Sequence, residues 1–495
     1  MNKAVTRFAP SPTGYIHIGN VRSAIYPYLV AKQTGGKMIL RIEDTDQDRY
    51  VEGATELIMD TLNWLGLEWD EGAGKTGPNG PYFQSERKEI YHQWAQKLID
   101  AGRAYADDTP AEKIDEYRKA DQEAGIPFLY RNHRPDHEVE WKEGVALRFK
   151  TEPKNYDWTD EVMGKMHTGP EVLDDIILIK RDGLPTYNFG HIVDDAEMGV
   201  THIMRGVEYL SSMPNYLAIY EALGIEHPKF VSLPHILAPT GNKKLGKRDG
   251  AKSVTEYRED GVLPEAMLNY LACLGWNDGT EQEVYTKNEL IEKFSIDRVQ
   301  NSGARFDEVK IGWMNGQWIR RIFDEQGVDA LYARTLESAD EKYITFKPLN
   351  FWPENAANEP DEYKKQVLAI IYDRLKTLSD LRTMTTYFFA DPEIDLAMIT
   401  ENKFLKKLSE KELADLLTMT IEKLSSVEWT EESLQNALNE LLEKSGKKPA
   451  EYFSLVRISV SFAPFSPALH LTLNVLGKDK TIARLNQVRT ALVNG

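Results

Sequence analysis

The chain has 495 residues, of which 41% are hydrophobic, and this length predicts about three domains of ordinary size. Its net charge of −18 argues against a general nucleic-acid binder, although screening over about 8 Å leaves room for a local basic surface. The single cysteine, Cys273, excludes an internal disulfide, and without an apolar leader or a membrane-length apolar run we expect a cytoplasmic protein that does not contact a membrane.

The N-terminal stretch predicts a short strand, a tight loop and a helix. Residues 4–9 are mainly apolar, and apolar residues recur at helical spacing after Asn20, which we expect to cap the helix. The loop between them contains three chain-breaking residues, Pro10, Pro12 and Gly14. A helix N-terminus beyond a strand can bind phosphate, with Gly19 allowing close approach and His17 donating a hydrogen bond. The alternative is an ordinary strand–helix loop with an incidental histidine.

A second strand is predicted over residues 38–42, and acidic residues follow it directly. Glu43 would then lie in the same crevice as the loop after the first strand, where it could bind an ammonium group. Alternatively, these acids only cap the next helix. Helices are predicted over residues 51–67 and from Gln84 onward.

Residues 107–182 are predicted to form a smaller α+β module, inserted between residues 1–106 and 183–240, which together form a nucleotide-binding sheet. The module is charged and helical at first, and then strand-like at residues 145–149 and 176–179. A hairpin turn is predicted at Asp182–Gly183.

The resumed half of the sheet carries Tyr187 and Arg205. If these side chains share a crevice with Arg7, Arg205 would form a bidentate clamp for a carboxylate. The alternative is a solvated charge at a strand end.

Residues 241–250 form a basic loop that is bounded by glycines in an acidic protein. Lys244 and Lys247 could bring positive charge to the phosphates of ATP and stabilise a leaving pyrophosphate. The alternative is a surface turn with solvated lysines.

From Val262 onward the pattern is mainly helical, and near Ala330 it changes to charged amphipathic helices. One helix is predicted to start at Thr430 and end near Gly446. Its predicted buried residues are Leu434, Ala437, Leu438, Leu441 and Leu442. This region has no cluster of catalytic residue types, which favours a binding role; we divide it into residues 241–325 and 326–495.

Four motifs follow one another along the chain. They are residues 12–20 (PTGYIHIGN), residues 41–46 (RIEDTD) with Arg49, residues 244–248 (KLGKR), and a C-terminal set comprising Arg457, Ser466–Pro467 and residues 476–478 (LGK). In this order they resemble the motifs of bacterial-type glutamyl-tRNA synthetases, which are class I aminoacyl-tRNA synthetases. The resemblance covers nearly the whole chain. It implies a Rossmann-like catalytic domain with an inserted acceptor-stem-binding module, then a stem-contact helical domain and an all-α anticodon-binding region.

The resemblance implies a glutamate–tRNA ligase. ATP and L-glutamate would form glutamyl-adenylate, and the glutamyl group would pass to the 3′ terminal adenosine of tRNA(Glu). Because the substrate carboxylate attacks the α-phosphate, catalysis would rest on positioning and charge stabilisation. Mg²⁺ would enter with ATP as part of the substrate complex. The resemblance also implies a monomer, and it leaves tRNA(Gln) open as a second acceptor.

The resemblance assigns site residues by position. Glu43 would face the α-amino group, and Arg7 and Arg205 would hold the γ-carboxylate. The full set for L-glutamate is Arg7, Ala9, Ser11, Glu43, Tyr187 and Arg205. The set for ATP is Pro12, Thr13, Gly14, His17, Gly19, Asn20, Glu208, Lys244, Lys247 and Arg248. Of these, the implied catalytic residues are His17, Lys244 and Lys247.

The sequence departs from the family pattern at several positions. Gly246 replaces the usual serine of the lysine motif. Val207 and Tyr209 stand where the pattern Arg-Gly-acid-acid-His is common in the family, after the strand that carries Arg205. Some relatives carry a zinc knuckle in the inserted module, but residues 105–109 and 131–133 offer no thiolate here. We therefore predict that there is no structural zinc.

Three other functions compete with this one. A glutaminyl-tRNA synthetase is disfavoured by the helical C-terminal third and by Arg205. A tRNA-modifying paralogue would lack the anticodon-binding third, which this chain keeps. A non-catalytic tRNA-binding relative would be expected to lose His17 or Lys247, and both are present.

Overall fold

The computed structural model describes residues 3–14, 16–246, 252–337, 343–463 and 466–494. The strands are β1 Val5–Phe8, β2 Lys37–Leu40, β3 Glu71–Gly72, β4 Ala104–Asp107, β5 Ala146–Phe149, β6 Tyr156–Asp160, β7 Gly164–Thr168, β8 Ile177–Ile179, β9 His202–Gly206, β10 Lys229–Leu233, β11 Ile236–Leu237, β12 Ala304–Arg305, β13 Leu336–Glu337 and β14 Leu349–Asn350. The helices are α1 Ile18–Gln33, α2 Ala54–Trp64, α3 Lys88–Asp100, α4 Ala111–Glu123, α5 Tyr187–Glu197, α6 Met213–Leu223, α7 Val254–Glu259, α8 Pro264–Cys273, α9 Lys287–Lys293, α10 Glu308–Gln326, α11 Val328–Thr335, α12 Asp361–Ile371, α13 Leu381–Met384, α14 Thr386–Phe389, α15 Ala397–Thr400, α16 Glu410–Ser426, α17 Glu431–Ser445, α18 Pro449–Ser461, α19 Leu469–Leu476 and α20 Lys478–Asn494.

The chain divides into two units. The first comprises residues 1–256, 264–308 and 341–346, and the second comprises residues 257–263, 309–340 and 347–495. In the first unit, β1, β2 and β3 form a parallel sheet, and β9 pairs with β10 in parallel. The backbone N–H of Thr201 donates to the carbonyl of Val5 at 2.8 Å, which brings β1 beside β9. These sheets confirm the predicted Rossmann-like catalytic domain, and the carboxyl ends of their parallel strands mark the edge where ligands bind in such folds.

Helix α1 starts earlier than the sequence predicts. Asn20 was expected to cap it, but the helix begins at Ile18 and His17 occupies the N-cap position. The carbonyl of His17 accepts hydrogen bonds from the N–H groups of Asn20 and Val21, at 2.9 and 3.1 Å. Burial of the Ile18 side chain explains the earlier start, since this residue is only 1% exposed. The prediction for Asn20 as cap is therefore wrong.

The segment between the two sets of parallel strands forms its own antiparallel sheet. Strand β5 lies between β4 and β8, which confirms the strands predicted near residues 145–149 and 176–179. The β6–β7 hairpin was not predicted, because its connection lacks an Asn-Gly or Asp-Gly pair. Strand β6 also meets β10 at the pair Asp160–Phe230, so the hairpin extends the β9–β10 sheet. The domain boundaries given above stay predictions.

A buried carboxylate crosslinks this antiparallel module. Asp175 is 0% exposed, and it accepts hydrogen bonds from Tyr105 Oη at 2.8 Å, Arg134 Nε at 2.6 Å and the N–H of Thr151 at 2.9 Å. Asp175 thus joins chain segments that are distant in sequence.

Within the described ranges, no cluster of three or more His, Cys, Asp or Glu side chains is arranged to hold a metal ion.

We expect Asp175→Asn to destabilise the module by about 3 kcal/mol, because it removes the charge that Arg134 and the other donors surround. Hydrogen exchange of the β4 and β5 amides, together with the melting temperature, measures this effect. The matched control is Asp157→Asn, whose side chain is 80% exposed beside His167 and should change stability by less than about 0.5 kcal/mol. Equal effects of the two substitutions would contradict the prediction.

The second unit is built mainly of helices. The helix predicted after Thr430 is confirmed as α17, because Thr430 Oγ1 accepts from the N–H of Ser433 at 3.3 Å and Gly446 ends the helix at φ +62°. Leu442, which was predicted to be buried with its neighbours, is only half-buried. Helix α16 packs against α20 and α17. Among the described helices, none combines the length and the apolarity needed to cross a bilayer.

Candidate active site

Two cavities open at the carboxyl edge of the parallel strands in the first unit. The smaller has a volume of about 240 Å³ and lies among the loops after β1, β2 and β9 and the start of α5. The larger has a volume of about 300 Å³ and lies between the start of α1 and residues 233–236 and 244–246. Both are lined by Asn20, Ser23, Gly206 and Glu208. The cavities therefore adjoin and form one cleft.

The structure brings together every residue that the sequence assigned to glutamate. All of them line the smaller cavity: Arg7, Ala9, Ser11, Glu43, Tyr187 and Arg205. Thr13, which was assigned to ATP, also lines this cavity. Tyr187 is the first residue of α5, and burial raises the pKa of its hydroxyl, so the group is a neutral phenol at pH 7.

Arg7 is already paired with a carboxylate. Its Nε lies 3.0 Å from Asp195 Oδ1, and Arg41 Nη1 lies 2.8 Å from the same oxygen. Burial alone would raise the pKa of Asp195, but the two guanidinium groups hold it at about 2. Asp195 is therefore charged at neutral pH and compensates Arg7 from within α5.

Glu43 follows β2 and faces the same cavity. Its Oε1 accepts from Arg41 Nη2 at 3.0 Å. Burial raises the pKa of Glu43, while Arg41 and Arg7 act in the opposite direction. A cation that bound beside Glu43 would favour its charged form further, so this carboxylate suits an ammonium ligand.

Arg205 differs from the other arginines around the cavity, because its neighbours carry no negative charge. Its Nη1 lies 3.3 Å from His191 Nε2 and its Nη2 lies 2.9 Å from Met213 Sδ. Its guanidinium also lies over the rings of Tyr209 and Tyr216, at 5.1 and 4.7 Å from their centres. Arg205 is only 7% exposed. Across the part of the chain that the structure describes, no carboxylate lies within ion-pairing distance of it.

The buried arginines near the cavity differ in whether a carboxylate compensates them. Asp194 accepts from Arg87 Nε at 2.7 Å, which adds one further ion pair to those of Arg7 and Arg41. The guanidinium groups of Arg7, Arg41 and Arg87 thus each pair with a carboxylate. Arg205 pairs with none among the described residues, and an anionic group in the cavity would compensate its charge.

The larger cavity has the features of a phosphate site. His17 and Gly19 lie at the N-terminus of α1, a helix of 16 residues, so its first N–H groups point toward the cavity. A Cβ built on Gly19 would meet nothing within 4 Å. Lys244 Nζ pairs with Glu208 Oε1 at 3.0 Å. Burial would raise the pKa of Glu208, but its backbone hydrogen bond and Lys244 lower it.

Not all predicted nucleotide residues gather here. The cavity is lined by His17, Gly19, Asn20, Glu208 and Lys244. Pro12 and Gly14 line neither cavity; Pro12 is buried, and its carbonyl accepts from the N–H of Val51 at 3.0 Å. Lys247 and Arg248 lie outside the described residues, so their assignments stay predictions.

Sequence reasoning missed several residues that shape the cleft. Arg22 is 5% exposed and donates from Nη1 to the carbonyl of Leu274 at 3.1 Å and from Nη2 to that of Pro234, which fixes one wall of the larger cavity. His191 was also missed. The sequence signal that could have identified Arg22 in α1 and His191 in α5 is a polar residue within an apolar helical pattern.

The comparisons with known proteins agree with this geometry. Residues 3–313 match the family of class I tRNA synthetases (E and Q), catalytic domain, and residues 338–489 match an anticodon binding domain. A glutamate–tRNA ligase of Clostridium tetani is 37% identical, with 98% of this chain and 97% of the relative covered. A glutamate–tRNA ligase of Dehalococcoides mccartyi is 36% identical, with the same coverage.

Solved structures are similar over the full length. The crystal structure of a glutamate tRNA ligase from Elizabethkingia meningosepticum, in complex with its amino acid, has a TM-score of 0.87 and 32% sequence identity; 99% of this chain and 100% of that chain are covered. The enzyme from Elizabethkingia anophelis has a TM-score of 0.84. This chain therefore belongs to the class I tRNA synthetases, in the family of bacterial glutamate–tRNA ligases.

Proposed function

We propose that this protein is a glutamate–tRNA ligase that activates L-glutamate with ATP and transfers it to the 3′ terminal adenosine of tRNA(Glu). The observation that carries this proposal is the uncompensated guanidinium of Arg205 in the wall of the smaller cavity. Zwitterionic glutamate has a net charge of −1, which matches the single uncompensated charge of Arg205. Glutamine has no net charge and would leave Arg205 unpaired.

In this proposal the amino acid lies in the smaller cavity. Arg205, with Tyr187 nearby, binds the γ-carboxylate, and Arg7 contributes although Asp195 compensates part of its charge. Glu43 binds the α-amino group. Ala9 and Ser11, in the loop after β1, complete the wall. These contacts leave the α-carboxylate free to face the adjoining cavity.

ATP would occupy the larger cavity, with its phosphates at the start of α1. The first N–H groups of that helix, the His17 side chain and Lys244 would stabilise the negative charge that develops as pyrophosphate leaves. The protein acts by positioning, since the substrate carboxylate is itself the nucleophile. Mg²⁺ would be held mainly by the phosphate oxygens of ATP.

A glutaminyl enzyme is the main alternative within the same family. The uncompensated charge of Arg205 disfavours it, because a neutral amide cannot compensate a buried cation. A non-catalytic tRNA-binding relative would have no need for two adjoining cavities with this charge arrangement. We further propose that the enzyme is cytoplasmic, as the sequence predicts, that it is a monomer, as the family resemblance implies, and that tRNA(Gln) is a candidate second acceptor.

Glutamate-dependent exchange between ATP and pyrophosphate, measured with and without tRNA, tests the proposal. We expect exchange with glutamate and little with glutamine. Aminoacylation of purified tRNA(Glu) and tRNA(Gln), measured side by side, then identifies the acceptor. If the protein supports no exchange under either condition, it is a binding protein and the proposal is wrong.

Gly19 provides a more local test of the nucleotide half. We expect Gly19→Ala to raise KM for ATP by about tenfold or more, because the added methyl group projects into the space assigned to the phosphates. Stability should stay equal or rise by up to about 1 kcal/mol, since alanine is a better helix former than glycine. Kinetics at fixed glutamate and a melting curve measure the two effects.

The matched control for Gly19→Ala is Gly312→Ala in the long helix α10, where the nearest atom to an added Cβ is Lys376 Cβ at 4.0 Å. That substitution should leave KM for ATP unchanged. An unchanged KM in Gly19→Ala as well would remove the start of α1 from the phosphate site.

A further inference from the structure

His191 stands directly behind the wall that carries Arg205. It lies on α5, is 0% exposed and does not line either cavity. Its ring packs edge-on against Tyr216, with ring centres 4.6 Å apart, and tilted against Tyr187 at 5.0 Å. These two rings limit how the imidazole can rotate. Its Nε2 is thereby held 3.3 Å from Arg205 Nη1.

The contact with Arg205 defines the tautomer of His191. A guanidinium can only donate hydrogen bonds, so Nε2 must be the unprotonated acceptor and the proton resides on Nδ1. Nδ1 has no hydrogen-bond partner among the described residues, and Asp195 Oδ2 lies 4.0 Å from it. Burial, together with the nearby positive charge of Arg205, holds the pKa of His191 well below its usual range.

The neutrality of this acceptor matters for the electrostatics of the cavity. A carboxylate at the same place would orient Arg205 equally well, as Asp195 does for Arg7, but it would compensate the charge. The other neighbours of Arg205 include the thioether of Met213 and the phenol groups of Tyr187, Tyr209 and Tyr216, which are also uncharged. All of these contacts orient the guanidinium without neutralising it.

We propose that His191 is a positioning residue for amino-acid specificity. Its neutral imidazole accepts a hydrogen bond from Arg205 and fixes the guanidinium in the cavity wall, while the full positive charge stays available to the side-chain carboxylate of the substrate. This inference rests on the proposed function. It assigns the preference for a substrate with an anionic side chain, over one with a neutral side chain, to Arg205 and His191. Of these two residues only Arg205 contacts the substrate.

Glutamine and glutamate have nearly the same shape, so placing each at position 191 separates the effect of charge on Arg205 from the effect of packing. His191→Gln offers a neutral oxygen acceptor to Arg205, whereas His191→Glu offers a charged one. We expect H191Q to keep KM for glutamate within about threefold of the wild type, and H191E to raise it by about 30-fold or more, with KM for ATP unchanged in both. H191E should also reduce the preference for glutamate over glutamine. His191→Leu, which has no acceptor, should fall between the two.

Aminoacylation by the full-length protein, at varied glutamate and then at varied ATP, gives these constants. Equal KM values for glutamate in H191Q and H191E would overturn the proposal, as would a wild-type KM in H191L. If H191E does not fold, the comparison of H191Q with H191L is decisive, and equal KM values for glutamate in those two variants would overturn the proposal. A wild-type protein that transfers no glutamate would overturn the proposed function and this inference together. An active wild type whose His191 variants all keep the wild-type KM for glutamate would overturn the inference alone.

Discussion

Arg205→Met should weaken the binding of glutamate by about 2–4 kcal/mol, which corresponds to a rise in KM of roughly 30- to 1,000-fold. The substitution keeps an apolar stem against Tyr209 and Tyr216, so it removes the charge with little change in packing. KM for ATP should stay unchanged, because Arg205 lines only the smaller cavity. Steady-state aminoacylation at varied glutamate and varied ATP measures both constants.

The stability of this variant carries as much information as its kinetics. Arg205 has no carboxylate partner, so removing it relieves the cost of a buried charge while it forfeits two cation–π contacts. We expect the free energy of unfolding to change by less than about 1 kcal/mol for this reason. Lys154→Met, which removes a cation paired with Glu221 at the surface, is the matched control. An unchanged KM for glutamate in Arg205→Met would exclude Arg205 from the binding of the substrate.

Asp195→Asn should have the largest effect on stability. Asp195 compensates Arg7 and Arg41, which are 4% and 0% exposed. Its loss leaves the buried Arg7 without a carboxylate partner and removes one of the carboxylates that compensate Arg41, so we expect a destabilisation of about 3–5 kcal/mol. Urea unfolding at neutral pH measures this free energy. Asp182→Asn is the control, because the carboxylate of Asp182 is 52% exposed beside Lys180 and should contribute less than about 1 kcal/mol.

The pH dependence of the same variant follows from the lowered pKa of Asp195. Its pKa in the folded protein is about 2, below the value of about 3.9 in an unfolded chain. The contribution of the Asp195 carboxylate to the stability of the folded protein is therefore fully present above about pH 4 and is lost as the pH falls toward 2. The difference between wild type and Asp195→Asn should stay constant from pH 6 to 8 and become smaller below pH 4. A difference that already shrinks between pH 8 and 6 would show that Asp195 is not the group responsible.

The sequence predicts much of this fold because local patterns specify it. The loop after β1, the presence of a helix after that loop and the acidic end of β2 follow from turn residues and apolar spacing, and parallel strands bring their ends to one edge. The N-cap of α1 was misplaced because the burial of Ile18 depends on tertiary packing. The β6–β7 hairpin was missed because its connection has no Asn-Gly or Asp-Gly pair, and Gly164 at its end, with φ +78°, was not recognised as a turn residue.

The electrostatics of the site could not be predicted in the same way. Arg7 and Arg205 look equivalent in the sequence, yet Asp195 compensates only the first of them. That ion pair joins residues 188 positions apart, so no local pattern reveals it. The neutral surroundings of Arg205 likewise come from α5 and α6, whose contacts with β9 exist only in the folded chain.

The four wall residues that the two cavities share have a consequence for inhibitor design. Asn20, Ser23, Gly206 and Glu208 border both spaces, so a single molecule that joins an amino acid to a nucleoside would fill both at once. Such a conjugate loses its translational and rotational freedom once, whereas two separate ligands lose it twice. Its affinity should therefore exceed the product of the affinities of its halves, provided that the linker follows the line from the β1 loop to the first turn of α1.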